Sequence, residues 1–301
     1  MHAMHARLPK NFVLEERLER YAPAIELEPA RLKGNWTKLC YPAIGKATQT
    51  DETTHTGEAT HTGETTHAGE MTEGSYDELF LDLGCGKGIY LAGMARLHPN
   101  TLFVGIDSEP ICVAYAAQRI VEQKLPNAVV VAGLARNLPS FFTAHELNTI
   151  QLNFPTPFPR KRDAARRVVN YEHLMLYREL LSPTGVLRLR TDSLPLRDFA
   201  LDELAHAGFE VIHRSDDARA ERPDEPLSEY EQRLCEQGAR VYELVAHPSG
   251  NAAQTPRKPV SLMDYLPQDL DSLDYVPHGM QAAVTNLRNR KANARAKARI
   301  S

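Results

Sequence analysis

Glycines at positions 84, 86 and 88, directly behind the apolar run Phe80-Leu81-Asp82-Leu83, restrict what this chain can fold into more than any other stretch. An apolar run that ends in an acid, meets alternate glycines and continues as a helical pattern is a buried strand turning sharply into a helix. Backbone at such a turn is left open to a ligand. A dinucleotide-binding loop would place its third glycine three residues after the second, and Ile89 stands there. Asp82, two residues before Gly84, is placed to face an ammonium group rather than a pyrophosphate. A second apolar run, Thr101 to Ile106, ends in Asp107, where a carboxylate can accept from a ribose.

The pattern around this turn is regular. Strand-like runs occur at 79–83, 101–107, 128–132, 148–153, 185–190, 209–214 and 240–246, with helix-like stretches near 87–97, 111–124, 170–181 and 195–207. Such alternation predicts an α/β protein with a doubly wound, mostly parallel sheet. No clear helix separates the last two runs, which are expected to pair antiparallel at an edge. Ligands of open sheets lie beyond the carboxyl ends of the strands. Asp82, Gly84, Asp107, Leu134, Asn153 and Asp192 are therefore expected along one rim. Two acids around a glycine turn without a phosphate fingerprint favour S-adenosylmethionine over NAD, although a glycine turn alone also arises by accident in other α/β proteins.

Composition limits the partners. The 301 residues carry a net charge of −4, so any nucleic-acid surface must be a local patch. Cys40, Cys85, Cys112 and Cys235 show no C-x-x-C spacing, which predicts a reduced, cytoplasmic protein without structural metal. The start lacks the apolar core of a signal peptide, and no run is long enough to span a membrane. Four regions are expected: an N-terminal arm (1–50), anchored by Trp36; a low-complexity Thr/His/Gly/Glu insertion (51–75) that repeats a hexapeptide; the main domain (76–248); and a flexible tail (249–301). Within the tail, Ser261–Pro267 echoes Ser272–Pro277, and residues 285–301 carry six Lys or Arg and no acid. A solvated end and an electrostatic hold on RNA fit that composition equally.

The least ordinary stretch begins at Asn153. Prolines at 155, 157 and 159 stiffen a loop that carries Phe154 and Phe158 and runs into five basic residues within eight positions, Arg160 to Arg167. Aromatic rings beside guanidinium groups suit an extruded base and its phosphates.

Lys87, Asn153-Phe-Pro-x-Pro157, the basic run 160–167, Thr191-Asp192 and Ser228-Glu-Tyr-Glu231 stand in the same order as in bacterial tRNA (guanine-N7-)-methyltransferases, and Leu32-Lys-Gly-Asn-Trp36 resembles their N-terminal arm. The resemblance implies a seven-stranded Rossmann-like class I S-adenosylmethionine-dependent methyltransferase acting on a variable-loop guanine of tRNA. It implies cofactor contacts from Asp82, Gly84, Gly86, Gly88, Asp107, Leu134, Asn153 and Thr156. By the same likeness Arg160, Arg166, Asp192, Ser228, Glu229, Tyr230 and Glu231 fall on substrate positions, and Thr156 on the catalytic one. Three residues depart from the family pattern: Thr156 replaces the loop Asp, Asp163 a histidine, and Leu134 a polar residue beside the adenine. A degenerate member that binds cofactor or RNA without this reaction, or methylates something else, stays open at this stage.

Overall fold

The computed structural model describes residues 12–38 and 76–298, so the repeats at 54–71 lie outside the described residues. One sheet holds β1 (Glu78–Leu83), β2 (Thr101–Asp107), β3 (Ala128–Ala132), β4 (Leu147–Asn153), β5 (Leu181–Thr191), β6 (Phe209–Ser215) and β7 (Tyr242–Pro248). The helices are α1 (Leu14–Arg20), α2 (Ile89–Leu97), α3 (Pro110–Glu122), α4 (Leu138–Phe141), α5 (Tyr171–Leu180), α6 (Leu194–His206), α7 (Ala218–Glu221), α8 (Glu229–Glu236) and α9 (Gln281–Ala298). Strand order is β3-β2-β1-β4-β5-β7-β6; β1 to β5 run parallel, and β7 is antiparallel to both neighbours.

The central strands are apolar on both faces because helices cover both. Leu79, Leu81 and Leu83 join Leu102, Val104 and Ile106 in one core, while Phe80 and Phe103 face the other. Tyr90, Leu91, Val113 and Ile120 of α2 and α3 pack on the Phe80 side. Leu174 and Tyr177 of α5 and Phe199 and Leu204 of α6 pack on the Leu81 side. Trp36 is fully buried there, its indole N–H donating to the Phe141 carbonyl at 2.9 Å and its ring 5.4 Å from Phe142. Leu32 is buried beside it, Tyr21 and Ala24 are buried on the other face, and the Glu26 amide donates to the Val130 carbonyl at 2.8 Å, so the N-terminal arm is pinned at several points.

Two expectations fail. The link between β6 and β7 is not a plain loop but holds α7 and α8. Only Glu231 and Leu234 of α8 are buried, so the sequence offers no apolar stripe to announce it. The segment after residue 249, expected as a flexible tail, is packed: Leu262, Leu270, Met280 and Val284 are buried. The Tyr171 hydroxyl donates to the Ala253 carbonyl, and the Tyr265 ring meets Phe199 edge-on at 6.1 Å. Leucines and tyrosines of the small duplication supply the apolar area that holds it to α6. Among the described residues no helix is long and apolar enough to cross a membrane.

Candidate active site

The carboxyl ends of β3, β2, β1, β4 and β5 form a continuous rim. The amides of Gly84 and Cys85 donate to the Ile106 carbonyl (2.7 and 3.1 Å), and that of Gly133 to the Asp107 carbonyl at 3.0 Å. Gly84, Gly86 and Gly88 adopt left-handed φ values of +80°, +55° and +70°. A Cβ on Gly88 would lie 2.7 Å from the Ala116 Cβ, so this glycine lets α2 close on α3. Nothing lies within 4 Å of a Cβ built on Gly84 or Gly86. Open space therefore adjoins the backbone where a ligand would lie.

Two acids face each other across that turn. Asp107 accepts the Gly86 amide on Oδ2 and the Glu109 amide on Oδ1, each at 2.9 Å, which fixes the carboxylate and leaves further lone pairs on both oxygens. Asp82 is 1% exposed. Its Oδ1 receives only a long hydrogen bond, 3.4 Å, from the Asn153 side chain, and its Oδ2 is buried without any partner. Burial, only partly offset by Asn153 and reinforced by the Asp107 charge, pushes the Asp82 carboxyl up to about 7. Burial likewise raises Asp107 and the Cys85 thiol. An orphaned buried acceptor beside a second desolvated acid is a site for a cation, and the α-ammonium, sulfonium and ribose hydroxyls of S-adenosylmethionine fit this donor-poor cradle. Leu134 follows Gly133 on the same rim and is 39% exposed, a large apolar side chain left uncovered.

Asn153 also begins the proline loop. Phe154 and Phe158 sit at left-handed φ values, +47° and +45°, a conformation that costs bulky residues on the order of 1–3 kcal/mol each. Arg167 offsets that strain. It is fully buried, donates to the carbonyls of Pro157 (3.3 Å), Phe158 (2.9 and 3.1 Å) and Val260 (3.1 Å), and lies over the Phe199 ring. The expected five-residue basic cluster is thus four outward residues, Arg160, Lys161, Arg162 and Arg166, and one inward clamp. Replacing Arg167 by methionine should cost about 2–3 kcal/mol in thermal or urea unfolding and weaken tRNA methylation while cofactor affinity holds. Unchanged stability with weakened tRNA binding would instead mean that Arg167 faces RNA.

The other expected residues divide by what they touch. Thr156 is exposed at the loop, and Arg166 covers the Phe158 ring at 4.1 Å while pairing with Asp163 at 3.6 Å. Asp192, at the end of β5, accepts the Tyr275 hydroxyl and the His278 amide. Ser228 caps α8, its hydroxyl accepting the Glu231 amide at 3.0 Å. Glu229 pairs with Lys87 of the glycine turn at 3.1 Å, and that lysine lowers its carboxyl. The Tyr230 ring meets Phe154 edge-on at 5.7 Å. Glu231 is turned inward: its carboxylate is 1% exposed and engaged by Arg190 (2.7 Å) and Arg219 (2.8 Å). Sequence reasoning missed Arg167, Arg190, Tyr275 and His278. The aromatic and proline content of 261–278, too apolar for a free tail, was the signal for the last two.

This sheet order, with a glycine turn and paired acids at the ends of β1 and β2, defines a class I S-adenosylmethionine-dependent methyltransferase. A family described as "Putative methyltransferase" matches residues 77–244. A tRNA (guanine-N(7)-)-methyltransferase of Geobacillus thermodenitrificans is 33% identical over 186 residues, 58% of this chain and 84% of that one. Enzymes of the same name from Lactococcus lactis subsp. cremoris (30% identical over 58% of this chain and 85% of that one) and Limosilactobacillus reuteri (32% over 56% and 80%) are also similar. The chain belongs to the tRNA (guanine-N7-)-methyltransferase family.

Proposed function

We propose that this protein transfers the methyl group of S-adenosylmethionine to N7 of a guanine in the variable loop of tRNA, in the cytoplasm where that substrate is found. One observation carries the reading: Asn153, hydrogen-bonded to the cation-seeking Asp82, is also the residue from which the proline loop springs. Donor and acceptor sides of a methyl transfer are therefore one side chain apart.

Bound S-adenosylmethionine supplies a methyl group activated by its sulfonium. Asp82 would hold the α-ammonium, Asp107 the ribose hydroxyls and Leu134 an apolar face of the adenine, with Gly84 and Gly86 leaving room beside the backbone. Guanine N7 already carries a lone pair, so no base must remove a proton first. Methylation there would leave the positive charge on the purine. What the chain contributes is orientation and exclusion of water. Asp192, Tyr230 and Phe154 would meet the base, and Arg160 and Arg166 the phosphates. Ser228 and Glu229 would act through α8, one as its cap and the other as its tie to the glycine turn.

Thr156 offers this site one neutral hydroxyl where a carboxylate could offset the developing charge. Thr156→Asp should raise kcat roughly ten- to hundredfold, the worth of one charge-assisted contact. No gain would point to a base other than guanine. In cells lacking the protein, tRNA should lose N7-methylguanosine and regain it with the wild type but not with Asp82→Asn. An unchanged level would count against the reading.

A further inference from the structure

We propose that the segment beyond the family-matched region completes the base side of the site, with Tyr275 and His278 as positioning residues for Asp192 and Tyr230. The inference rests on the functional reading above and deepens it.

Residues 250–280 are tied down at several points. Arg257 pairs with Asp202 (3.0 Å) and Glu203 (3.2 Å) of α6. The Ser261 hydroxyl and the Leu262 amide both donate to the Pro159 carbonyl at 3.0 Å, which attaches the segment to the end of the proline loop. It then returns to the strand ends. The Tyr275 hydroxyl donates to Asp192 Oδ2 at 2.8 Å, and the His278 amide donates to the same oxygen at 2.9 Å. His278 Nδ1 and the Tyr230 hydroxyl are 2.9 Å apart, their rings edge-on at 5.6 Å. Gly279, at φ +82°, passes so close to the loop that a Cβ there would lie 3.3 Å from Pro157 Cγ. Met280 follows, fully buried, with the Ser193 hydroxyl on its sulfur.

These contacts select atoms in a telling way. A carboxylate at the end of a strand can rotate, and two donors on a single oxygen stop it. Both fall on Oδ2, and Oδ1 takes no hydrogen bond among the described residues. Asp192 is thereby held with one oxygen satisfied and the other available to donors on a base. Burial, and then the nearby Asp192 charge, raises the phenols of Tyr275 and Tyr230, so both stay protonated. Tyr230, fixed by His278 on one side and Phe154 on the other, presents an aromatic surface beside that carboxylate. One short stretch, 275–280, thus sets the acid, the ring and the proline loop relative to one another. Packing alone would not require a hydroxyl at 275, since phenylalanine would fill the same space.

A double-mutant cycle in the full-length protein separates positioning from packing. Methyl transfer from S-adenosylmethionine to unmodified tRNA transcript is followed for the wild type, Tyr275→Phe, Asp192→Asn and the pair. In the wild-type background Tyr275→Phe should lower kcat/KM for tRNA about tenfold, while cofactor affinity by calorimetry stays within twofold. In the Asp192→Asn background the same change should cost less than threefold, because the hydroxyl acts through the carboxylate. Equal losses in both backgrounds, or a fall in melting temperature without a kinetic change, would make Tyr275 a packing residue and overturn the proposal. A rate increase would also overturn it, showing that the segment occupies the acceptor. Wild-type protein that transfers no methyl to tRNA would sink the functional reading itself, an outcome distinct from a failed cycle.

Discussion

Asp82→Asn is expected to lower S-adenosylmethionine affinity ten- to hundredfold and, at pH 8, to make the ligand-free protein more stable. Both effects have one cause, a buried carboxylate with an orphaned oxygen and a carboxyl pushed up to about 7. Losing a charge-assisted contact to an ammonium is worth roughly 1.5–3 kcal/mol, which sets the affinity loss. The stability term has the opposite sign. From the ordinary value of 3.8 up to about 7, the unfolded chain releases its proton while the folded chain retains it, so stability declines as pH rises through that window. Above it the penalty is fully present, on the order of 4 kcal/mol as an upper limit. Asparagine removes the charge and with it the penalty. Wild-type affinity should therefore climb about tenfold per pH unit as pH rises toward 7, and the variant should show no such slope. Calorimetry from pH 5 to 8 and parallel thermal melts check both halves. A variant that binds normally would detach Asp82 from the cofactor.

Glu231→Gln is expected to unfold the protein more easily by about 3 kcal/mol, a fall in melting temperature of roughly 5 °C for a chain of this size. Its carboxylate is the closest partner of Arg190, which is fully buried with Nε and Nη1 making no hydrogen bond and with Glu225 no nearer than 3.8 Å. Removing that charge strands a guanidinium beneath the antiparallel pair. Glu225 would be the remaining acid at hand, but it lies 3.8 Å away and is already shared with Arg188 and Arg222. If Glu231 instead touched tRNA, the melt would be unchanged and KM for tRNA would rise. Differential scanning calorimetry beside a tRNA titration separates the two.

The sheet was legible because its central strands are buried on both faces, so β1, β2 and β3 stand out as short apolar runs between turn residues. The glycine turn and its acids were legible because their spacing follows from backbone geometry. Arg167 was not. In sequence it is one basic residue among five, and only the left-handed carbonyls of the proline loop explain why it turns inward. The pairing of Glu231 was hidden for a similar reason: its two arginines, Arg219 and Arg190, stand 12 and 41 residues away in sequence, and no spacing announces that they meet it. The segment beyond 249 was read as free because its apolar residues follow no single period. It is held by many separate contacts with α6 and the proline loop rather than by one regular element.

The most direct test uses purified full-length protein, S-adenosylmethionine carrying a labelled methyl group, and two tRNA transcripts that differ at one atom. In one transcript the variable-loop guanosine is natural; in the other it is 7-deazaguanosine, which has carbon in place of N7 and no lone pair there. The expected result is one methyl per natural transcript, recovered as N7-methylguanosine, and none on the deaza form. Equal labelling of both, or cofactor binding with no transfer to either, would contradict a guanine N7 presented to the cradle of Asp82 and Asp107.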